Sequence, residues 1–560
     1  MSNKPWLRHY PAEVPPTFEY PAHNLAKFLV DSAAGHPEKI ALEFMGAKIS
    51  YGTLLDHCFR FANALLKLGI GKGERVAVML PNCPQSVIAY YGTLLMGGIV
   101  VMTNPLYMPR ELEHQLKDAD VRLIVTLDAL VARVKNAIGV GGGGLDYILV
   151  TSVKDYLPFP KNMLYPIKAK KDGMYVKIDY DRRVLSLKKL IKGASPEPCE
   201  ASVDGEKDLA LIQYTGGTTG FAKGVMLTHA NLVANTLQTH LWFYRGREAE
   251  EKYLAALPFF HVFGMTVLLN KAVYMAGTLI LMPRFEVDQI LKAIDRQRPT
   301  VFPGAPTMYV AIINHPDVRK YDLSSINVCI SGAAPLPLEV QTRFEALTGG
   351  KLIEGYGLTE ASPVTHANNI WEKRKSGSIG IPFPDTEARI VVPDTLEDVK
   401  PGEIGELAVR GPQVMKGYWN RPEDTYKTLK EGWLLTGDLG RMDEDGFFYI
   451  LDRRKDLIIA GGYNIYPREV EEVLFEHPDV AEAIVAGVFD PYRGETVKAY
   501  VVLRSGAVPD EASLKQWCKE KLAAYKVPKI YEFRDSLPKT LAGKVLRRKL
   551  VEEENEKPQL

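Results

Sequence analysis

Between Tyr214 and Gly224 the chain reads Tyr-Thr-Gly-Gly-Thr-Thr-Gly-Phe-Ala-Lys-Gly, a crowding of glycines and hydroxyls with one lysine. It follows directly on an apolar run, Leu209 to Gln213. Glycines let backbone N–H groups approach phosphate oxygens, threonine hydroxyls add donors, and a lysine neutralises charge. Thr215, Gly216, Gly217, Thr218, Thr219, Gly220 and Lys223 therefore read as a phosphate-binding loop. The apolar run predicts a strand before the loop, and the segment opening near Thr228 to Asn231 predicts a helix after it. The spacing is not GxxxxGK[ST]: the lysine lies three residues beyond Gly220 and is followed by Gly224, which separates this loop from that of kinases and GTPases.

Five more segments that could do chemistry follow in order. They are Ser331-Gly332-Ala333-Ala334-Pro335, Tyr356-Gly357-Leu358-Thr359-Glu360, Thr436-Gly437-Asp438, Asp452-Arg453-Arg454-Lys455-Asp456 and Pro538-Lys539-Thr540-Leu541-Ala542-Gly543-Lys544. Together with the loop they span nearly the whole chain. The set resembles the signatures of the adenylate-forming superfamily, which includes acyl-CoA ligases, beetle luciferases and peptide-synthetase adenylation domains. The resemblance implies an ATP-dependent enzyme that activates a carboxylic acid as an acyl-adenylate.

It also implies a task for each segment. Gly332, Ala333 and Ala334 are small enough for the backbone to lie flat against an adenine ring, and Tyr356, next to Gly357, supplies a stacking face. Thr359 would hold the α-phosphate. Glu360 would hold Mg2+, a hard cation that takes oxygen ligands and shares them with nucleotide phosphates. Asp438 would bind the ribose hydroxyls with help from Arg453. Lys544 would stand between the acyl carboxylate and the α-phosphate, two anions whose approach needs a cation. His261 lies in the apolar run Pro258 to Gly264, where a lone histidine is ordinarily a satisfied core residue. The resemblance makes it instead part of an aromatic gate beside the acyl carbonyl, with Trp242 and Phe243 on the same approach. Lys455 takes the hinge position: rotation of the small domain withdraws Lys544 and brings up Ala460 to Asn464, where Gly461, Gly462 and Tyr463 would let pantetheine pass.

Within the superfamily, Trp6 to Val14, Asn104 to Leu116, Gly411 to Trp419 and Lys526 to Phe533 resemble bacterial-type long-chain fatty-acyl-CoA ligases. The expected substrates are a fatty acid, ATP and coenzyme A. Ligation of an aryl or branched acid, loading of a carrier protein, and a catalytically dead nucleotide-binding regulator stand as alternatives. No carrier segment follows before Leu560, and the presence of Lys544, Glu360 and Asp438 argues against the dead form. Homodimers are common in the family it resembles.

These residues need a scaffold, and 560 residues exceed what one core ordinarily serves. Apolar residues at 46% and charged residues at 24% are globular values, and a net charge of +1 argues against chain-wide attraction to nucleic acid, so no nucleic-acid partner is expected. Strand-like and helical runs alternate from Arg75 to Thr126 and return at Lys252 to Ala256, Thr278 to Met282, Ile326 to Ser331 and Lys351 to Glu354. That rhythm predicts an α/β fold of mostly parallel sheets with helices on both faces. Short strands between Thr386 and Val409 predict a small β subdomain. After Arg453 the pattern predicts a separate, mobile α+β module: helix Pro467 to Phe475, strands Ala483 to Val488 and Lys498 to Leu503, helix Glu511 to Leu522 and strand Ile530 to Phe533. The expected domains are residues 1–452 and 453–560.

Val87 to Met102 is an apolar run cut by Gly97-Gly98, which predicts a buried helix and a buried strand rather than a membrane span. Lys154 to Lys192 is basic and reads as a lengthened surface loop. Met163, Leu164, Ile167, Leu185, Leu187 and Leu190 make contact with anionic lipid headgroups its functional reading. Met1 to Tyr20 lacks an apolar signal region, so a cytoplasmic place, peripheral on the inner face of the cell membrane if this stretch binds lipid, is expected.

Overall fold

The computed structural model describes residues 4–139, 144–171, 175–215, 222–400, 402–460, 463–490, 494–540 and 543–556. Its largest sheet has eight strands in the order Gly417–Tyr418, Lys223–Thr228, Leu209–Thr215, Ile99–Met102, Arg75–Met79, Leu123–Leu127, Tyr147–Thr151 and Val184–Ser186. From Leu209–Thr215 to Val184–Ser186 every pairing is parallel, and the two strands at the other edge are antiparallel. Successive side chains leave a strand on opposite faces. Val76 and Val78 accordingly join one hydrophobic core while Ala77 and Met79 join another. Burial on both faces is why these strands are continuously apolar.

The Val87 to Met102 run divides as expected. Helix Pro84–Leu95 is buried along its whole length, Gly97 adopts φ +75° just beyond it, and strand Ile99–Met102 follows. Among the described residues no helix is long and apolar enough to cross a membrane.

A second layer pairs Lys252–Ala255, Thr278–Leu281, Ile40–Phe44 and Ala47–Ser50. Isolated bridges through Val301 join Tyr253 to Val328, and so to the sheet of Val328–Ser331, Lys351–Gly357, Val364–Ala367 and Ile381–Pro382. The β subdomain is antiparallel, built from Glu387–Val391, Gly405–Arg410, Trp433–Met442, Leu429–Lys430 and Phe448–Arg453. The C-terminal domain has its own sheet, with Tyr463–Ile465, Ile458–Ala460, Gly494–Leu503, Val480–Asp490 and Ile530–Phe533. Helices Pro467–Phe475 and Glu511–Lys521 enclose with it a separate core that includes Val470, Leu474, Val485, Val501 and Leu514. The α/β fold with a small β subdomain and an α+β C-terminal domain is the one expected.

The helix expected to open near Thr228 to Asn231 does so: helix His229–Trp242 is capped by Thr228 Oγ1, which accepts from Asn231 N–H at 3.2 Å. Between it and the loop lies strand Lys223–Thr228, which pairs antiparallel with Leu209–Thr215 and buries Val225 and Leu227. One local expectation is corrected: the basic stretch is not a plain loop. It forms helix Lys161–Lys171, strand Val184–Ser186 and helix Leu187–Gly193. Leu187 and Ile191 are buried under the last helix, and Leu185 and Leu190 pack against the same core, so these three leucines are core residues and not lipid anchors.

Candidate active site

The arms of the phosphate loop are set by the hairpin, in which Thr215 faces Lys223. Gly216, Gly217, Thr218, Thr219 and Gly220 lie outside the described residues, as do Gly461 and Gly462. Strand Gly417–Tyr418 pairs with the Lys223–Thr228 arm, Tyr418 opposite Val225, and this edge gathers four polar side chains. The Lys223 ammonium lies 3.0 Å from Asp424 Oδ2 and 5.4 Å from the centre of the Tyr418 ring. The Tyr418 hydroxyl donates to Glu360 Oε1 at 2.8 Å. A hydrogen bond thus fixes one oxygen of the expected metal-binding carboxylate. Among the described residues no group of three or more His, Cys, Asp or Glu side chains is placed to hold a metal ion. The donor set is a single carboxylate, which suits a hard cation that takes its other oxygens from a nucleotide.

Strand Val328–Ser331 delivers Gly332 and Ala333. A Cβ on Gly332 would come within 2.9 Å of the Phe263 ring, so the side chain is excluded by that ring, and Ala333 itself adopts φ +67°. Gly357 is equally constrained, since a Cβ there would lie 2.0 Å from the Pro363 carbonyl oxygen. Thr359 opens the 3-10 turn Thr359–Ala361 that also carries Glu360.

Asp438 sits in strand Trp433–Met442 just after Gly437, whose φ of +72° turns the backbone, and it is 3% exposed. Both of its carboxylate oxygens are engaged. Tyr356 donates its hydroxyl hydrogen to Oδ2 at 2.5 Å, and Arg453, directly opposite in the next strand, places Nε 3.1 Å from Oδ1. Burial first, and then the Asp438 charge, push the Tyr356 phenol well above its ordinary pKa, so it remains a donor. The Asp438 charge holds the Arg453 guanidinium above its usual value.

Lys544 enters from the C-terminal domain on a tight hairpin. Thr540 N–H donates to the Lys544 carbonyl at 2.8 Å, and Lys544 N–H donates to Thr540 Oγ1 at 3.1 Å. Leu541 and Ala542 lie outside the described residues. Surrounding protein, then the Arg453 charge, lower the Lys544 pKa to about 8, opposed by Asp438 and Asp456. The side chain itself is exposed, so solvent tempers this shift.

His261 caps the short helix Val262–Gly264, its Nδ1 accepting from Phe263 N–H at 3.3 Å. That bond leaves the proton of the neutral ring on Nε2. Burial, then the Lys544 charge, lower the His261 pKa to about 4, so the ring is neutral near pH 7 and lies within the electrostatic reach of Lys544. Trp242 and Phe243 do not share this approach. Trp242 packs on Tyr10 and Phe383 and donates Nε1–H to the Asn368 carbonyl, while Phe243 stacks with Trp371, so both are buried core residues. Tyr463 also stands apart: it is 58% exposed and stacked on Tyr525 at 4.7 Å. The structure therefore gathers Lys544, His261, Asp438, Arg453 and Tyr356, with Tyr463 on the outer face of the C-terminal domain.

Sequence reasoning missed several residues that hold this arrangement. Gln213, buried at the end of the loop strand, donates Nε2–H to the Phe260 carbonyl at 2.9 Å and so ties the phosphate loop to the His261 turn. Asn82 donates to the Ala255 and Leu257 carbonyls and accepts from Phe259 N–H at 2.9 Å. A lone amide inside the apolar run Leu209 to Tyr214 was the available signal for Gln213. Tyr418 and Asp424 carried no local signal, because their role depends on the pairing of strand Gly417–Tyr418 with Lys223–Thr228.

Comparison with known proteins identifies the family. The AMP-binding enzyme family matches residues 29–419, and the AMP-binding enzyme C-terminal domain matches residues 469–544. The chain is 54% identical over 561 residues to the long-chain-fatty-acid–CoA ligase of Bacillus subtilis strain 168, covering 99% of each chain. It is 38% identical over 558 residues to the long-chain-fatty-acid–CoA ligase of Escherichia coli O157:H7, covering 98% of each. The crystal structure of ATP-bound MatB from Rhodopseudomonas palustris superposes with a TM-score of 0.82 at 32% identity, covering 95% of this chain and 99% of that one.

Proposed function

The chain belongs to the AMP-binding enzyme family, and from that premise we infer that it is an AMP-forming long-chain fatty acid–CoA ligase. It converts acid, ATP and coenzyme A to acyl-CoA, AMP and diphosphate. The observation that carries the chemistry is the Lys544 ammonium, brought from the C-terminal domain into the electrostatic field of Asp438 and Arg453, with His261 within its own reach. The fatty-acid assignment is supported by full-length similarity to two ligases of that name.

A carboxylate is a poor electrophile, because oxide cannot leave. In the first half-reaction a carboxylate oxygen attacks the α-phosphorus of ATP, the bond to the bridging oxygen breaks, and diphosphate departs with the electron pair. Lys544 offsets the charge that both anions bring to the reacting phosphorus. Asp438 and Arg453 hold the ribose, Tyr356 and the Gly332 to Ala334 backbone hold the adenine, and Thr359 holds the α-phosphate. The loop from Thr215 to Lys223 clasps the departing phosphates, for which Lys223 exchanges Asp424 for phosphate oxygens. Glu360, steadied by Tyr418, would hold Mg2+, which when bound supplies positive charge to the nucleotide phosphates.

In the second half-reaction the coenzyme A thiolate attacks the acyl carbonyl and AMP leaves. In this reading His261 stands beside that carbonyl and, its pKa lowered by burial, brings no charge to it. The small domain rotates about Lys455 between the two steps, exchanging Lys544 for Gly461, Gly462 and Tyr463. The direct test is acyl-CoA formation across saturated acids of increasing length and a few aryl acids. Activity confined to aryl acids would overturn the fatty-acid assignment.

Helix Lys161–Lys171 is the proposed point of peripheral membrane contact. It exposes Met163, Leu164 and Ile167, with Phe159 just before it, beside Lys161, Lys170 and Lys171. Apolar side chains among lysines suit the boundary between acyl chains and anionic headgroups, the phase into which a long-chain acid partitions.

A further inference from the structure

We propose that Thr307 is a positioning residue for the adenylation step, registering the Lys544 loop to the backbone that receives the nucleotide. The inference rests on the ligase reading above and adds a residue to it. Thr307 lies in the first turn of helix Pro306–Ile313, and its hydroxyl donates to the Gly543 carbonyl at 3.1 Å. This bond joins the two domains immediately beside Lys544.

Gly543 is shaped to accept it. Its φ is +81°, and a Cβ there would fall 2.4 Å from Thr307 Oγ1 and 3.1 Å from the Ala305 Cβ. Left-handed backbone and close approach both require glycine at this point. Gly543 N–H donates to the Thr540 carbonyl at 2.9 Å and Thr540 holds both backbone groups of Lys544, so Thr540 ties the residue that Thr307 grips to the lysine.

The other end of the connection is equally firm. Three residues before Thr307, Gly304 N–H donates to the Ile330 carbonyl at 3.0 Å, and the Gly304 carbonyl accepts from Gly332 N–H at 3.1 Å. The Tyr309 hydroxyl, from the same helix as Thr307, donates to the Phe302 carbonyl at 2.9 Å. A short run of backbone from Gly304 to Thr307 thus touches Gly332 on one side and Gly543 on the other. Displacement of either end alters where the Lys544 ammonium stands relative to the nucleotide. A neutral hydrogen bond suits a contact that must be released when the domain rotates. Arg504, 2.8 Å from Glu339, closes the domains at a separate point and would survive loss of the Thr307 hydroxyl.

The test compares the full chain with T307V, which removes the hydroxyl at constant shape, and T307S, which restores it. Diphosphate release with a fatty acid and ATP reports the first half-reaction. Thioester formation from supplied acyl-adenylate and coenzyme A reports the second. T307V is expected to slow adenylation about 10- to 100-fold in kcat, leaving the ATP KM and the thioester step unchanged, and T307S to return adenylation toward the wild-type rate. Wild-type adenylation in T307V, an equal loss in both half-reactions, or a T307S as slow as T307V would each overturn the proposal. Retained thioester formation shows that the variant is folded; should T307V not fold, T307A carries the same expectation. A wild-type chain that forms no acyl-adenylate from any fatty acid would instead overturn the ligase reading itself.

Discussion

Tyr356 donates its hydroxyl hydrogen to Asp438 Oδ2 at 2.5 Å, while Arg453 holds Oδ1 from the neighbouring strand. The Asp438 carboxylate is therefore fixed from both sides by residues 82 positions upstream and one strand away. Tyr356→Phe keeps a ring for the adenine and removes the donor. It is expected to raise the ATP KM by about 1.5 kcal/mol, roughly tenfold, and Asp438→Ala by about 3 kcal/mol, on the order of a hundredfold. Initial-rate kinetics at varied ATP check both, and an unchanged KM in Tyr356→Phe would remove that hydroxyl from the binding site.

Lys544→Ala removes the cation from the reacting phosphorus. Adenylation is expected to fall on the order of 10²- to 10³-fold, while thioester formation from supplied acyl-adenylate persists. Equal loss in the two half-reactions, measured separately, would sink the assignment.

The pH profile follows from the same lysine. Its pKa is lowered from the ordinary lysine value by burial and the Arg453 charge, so the ammonium needed for adenylation is present below that pKa and is lost as pH rises through it. The kcat/KM for adenylation, which reports the free enzyme, is expected to fall on the alkaline side. Bound ATP and acid favour the charged form, so the corresponding fall in kcat is expected at higher pH. Lys544→Arg, which stays charged, should lose this alkaline limb; the same limb in that variant would assign it to another group.

Membrane contact is checked by flotation with vesicles of neutral or anionic lipid. Replacing Met163 and Ile167 by aspartate puts charges on the exposed face of helix Lys161–Lys171, where both side chains are more than two-thirds accessible at 68% and 67%. The doubly substituted chain is expected to leave the anionic vesicles and to keep its activity on a soluble shorter acid. Equal flotation of both chains would exclude this helix as the contact.

Much of the architecture was legible because it is local. Strand Arg75–Met79, the glycine break after helix Pro84–Leu95 and the helix Pro467–Phe475 each declare themselves through periodicity or a turn residue within a few positions. The basic stretch was harder. Its lysines mask the apolar Leu187 and Ile191, which turn into the core only because strand Val184–Ser186 joins the edge of the large sheet. The strand Lys223–Thr228 was hidden for a similar reason, since its pairing with Leu209–Thr215 outweighs any signal from its own residues.

The sequence by itself determined the chemical inventory: a glycine- and threonine-rich loop, the acids Glu360 and Asp438, and a lysine in a glycine-flanked turn. Residue type and short spacing carry that inventory, and the resemblance to adenylate-forming enzymes implies the roles. Only the tertiary structure decided that Lys544 stands within the electrostatic range of Asp438 and Arg453, that Gln213 and Asn82 steady the His261 turn, and that Thr307 meets Gly543. Those relationships join residues far apart along the chain, and they arise when sheets and domains pack together, a step that local periodicity does not encode.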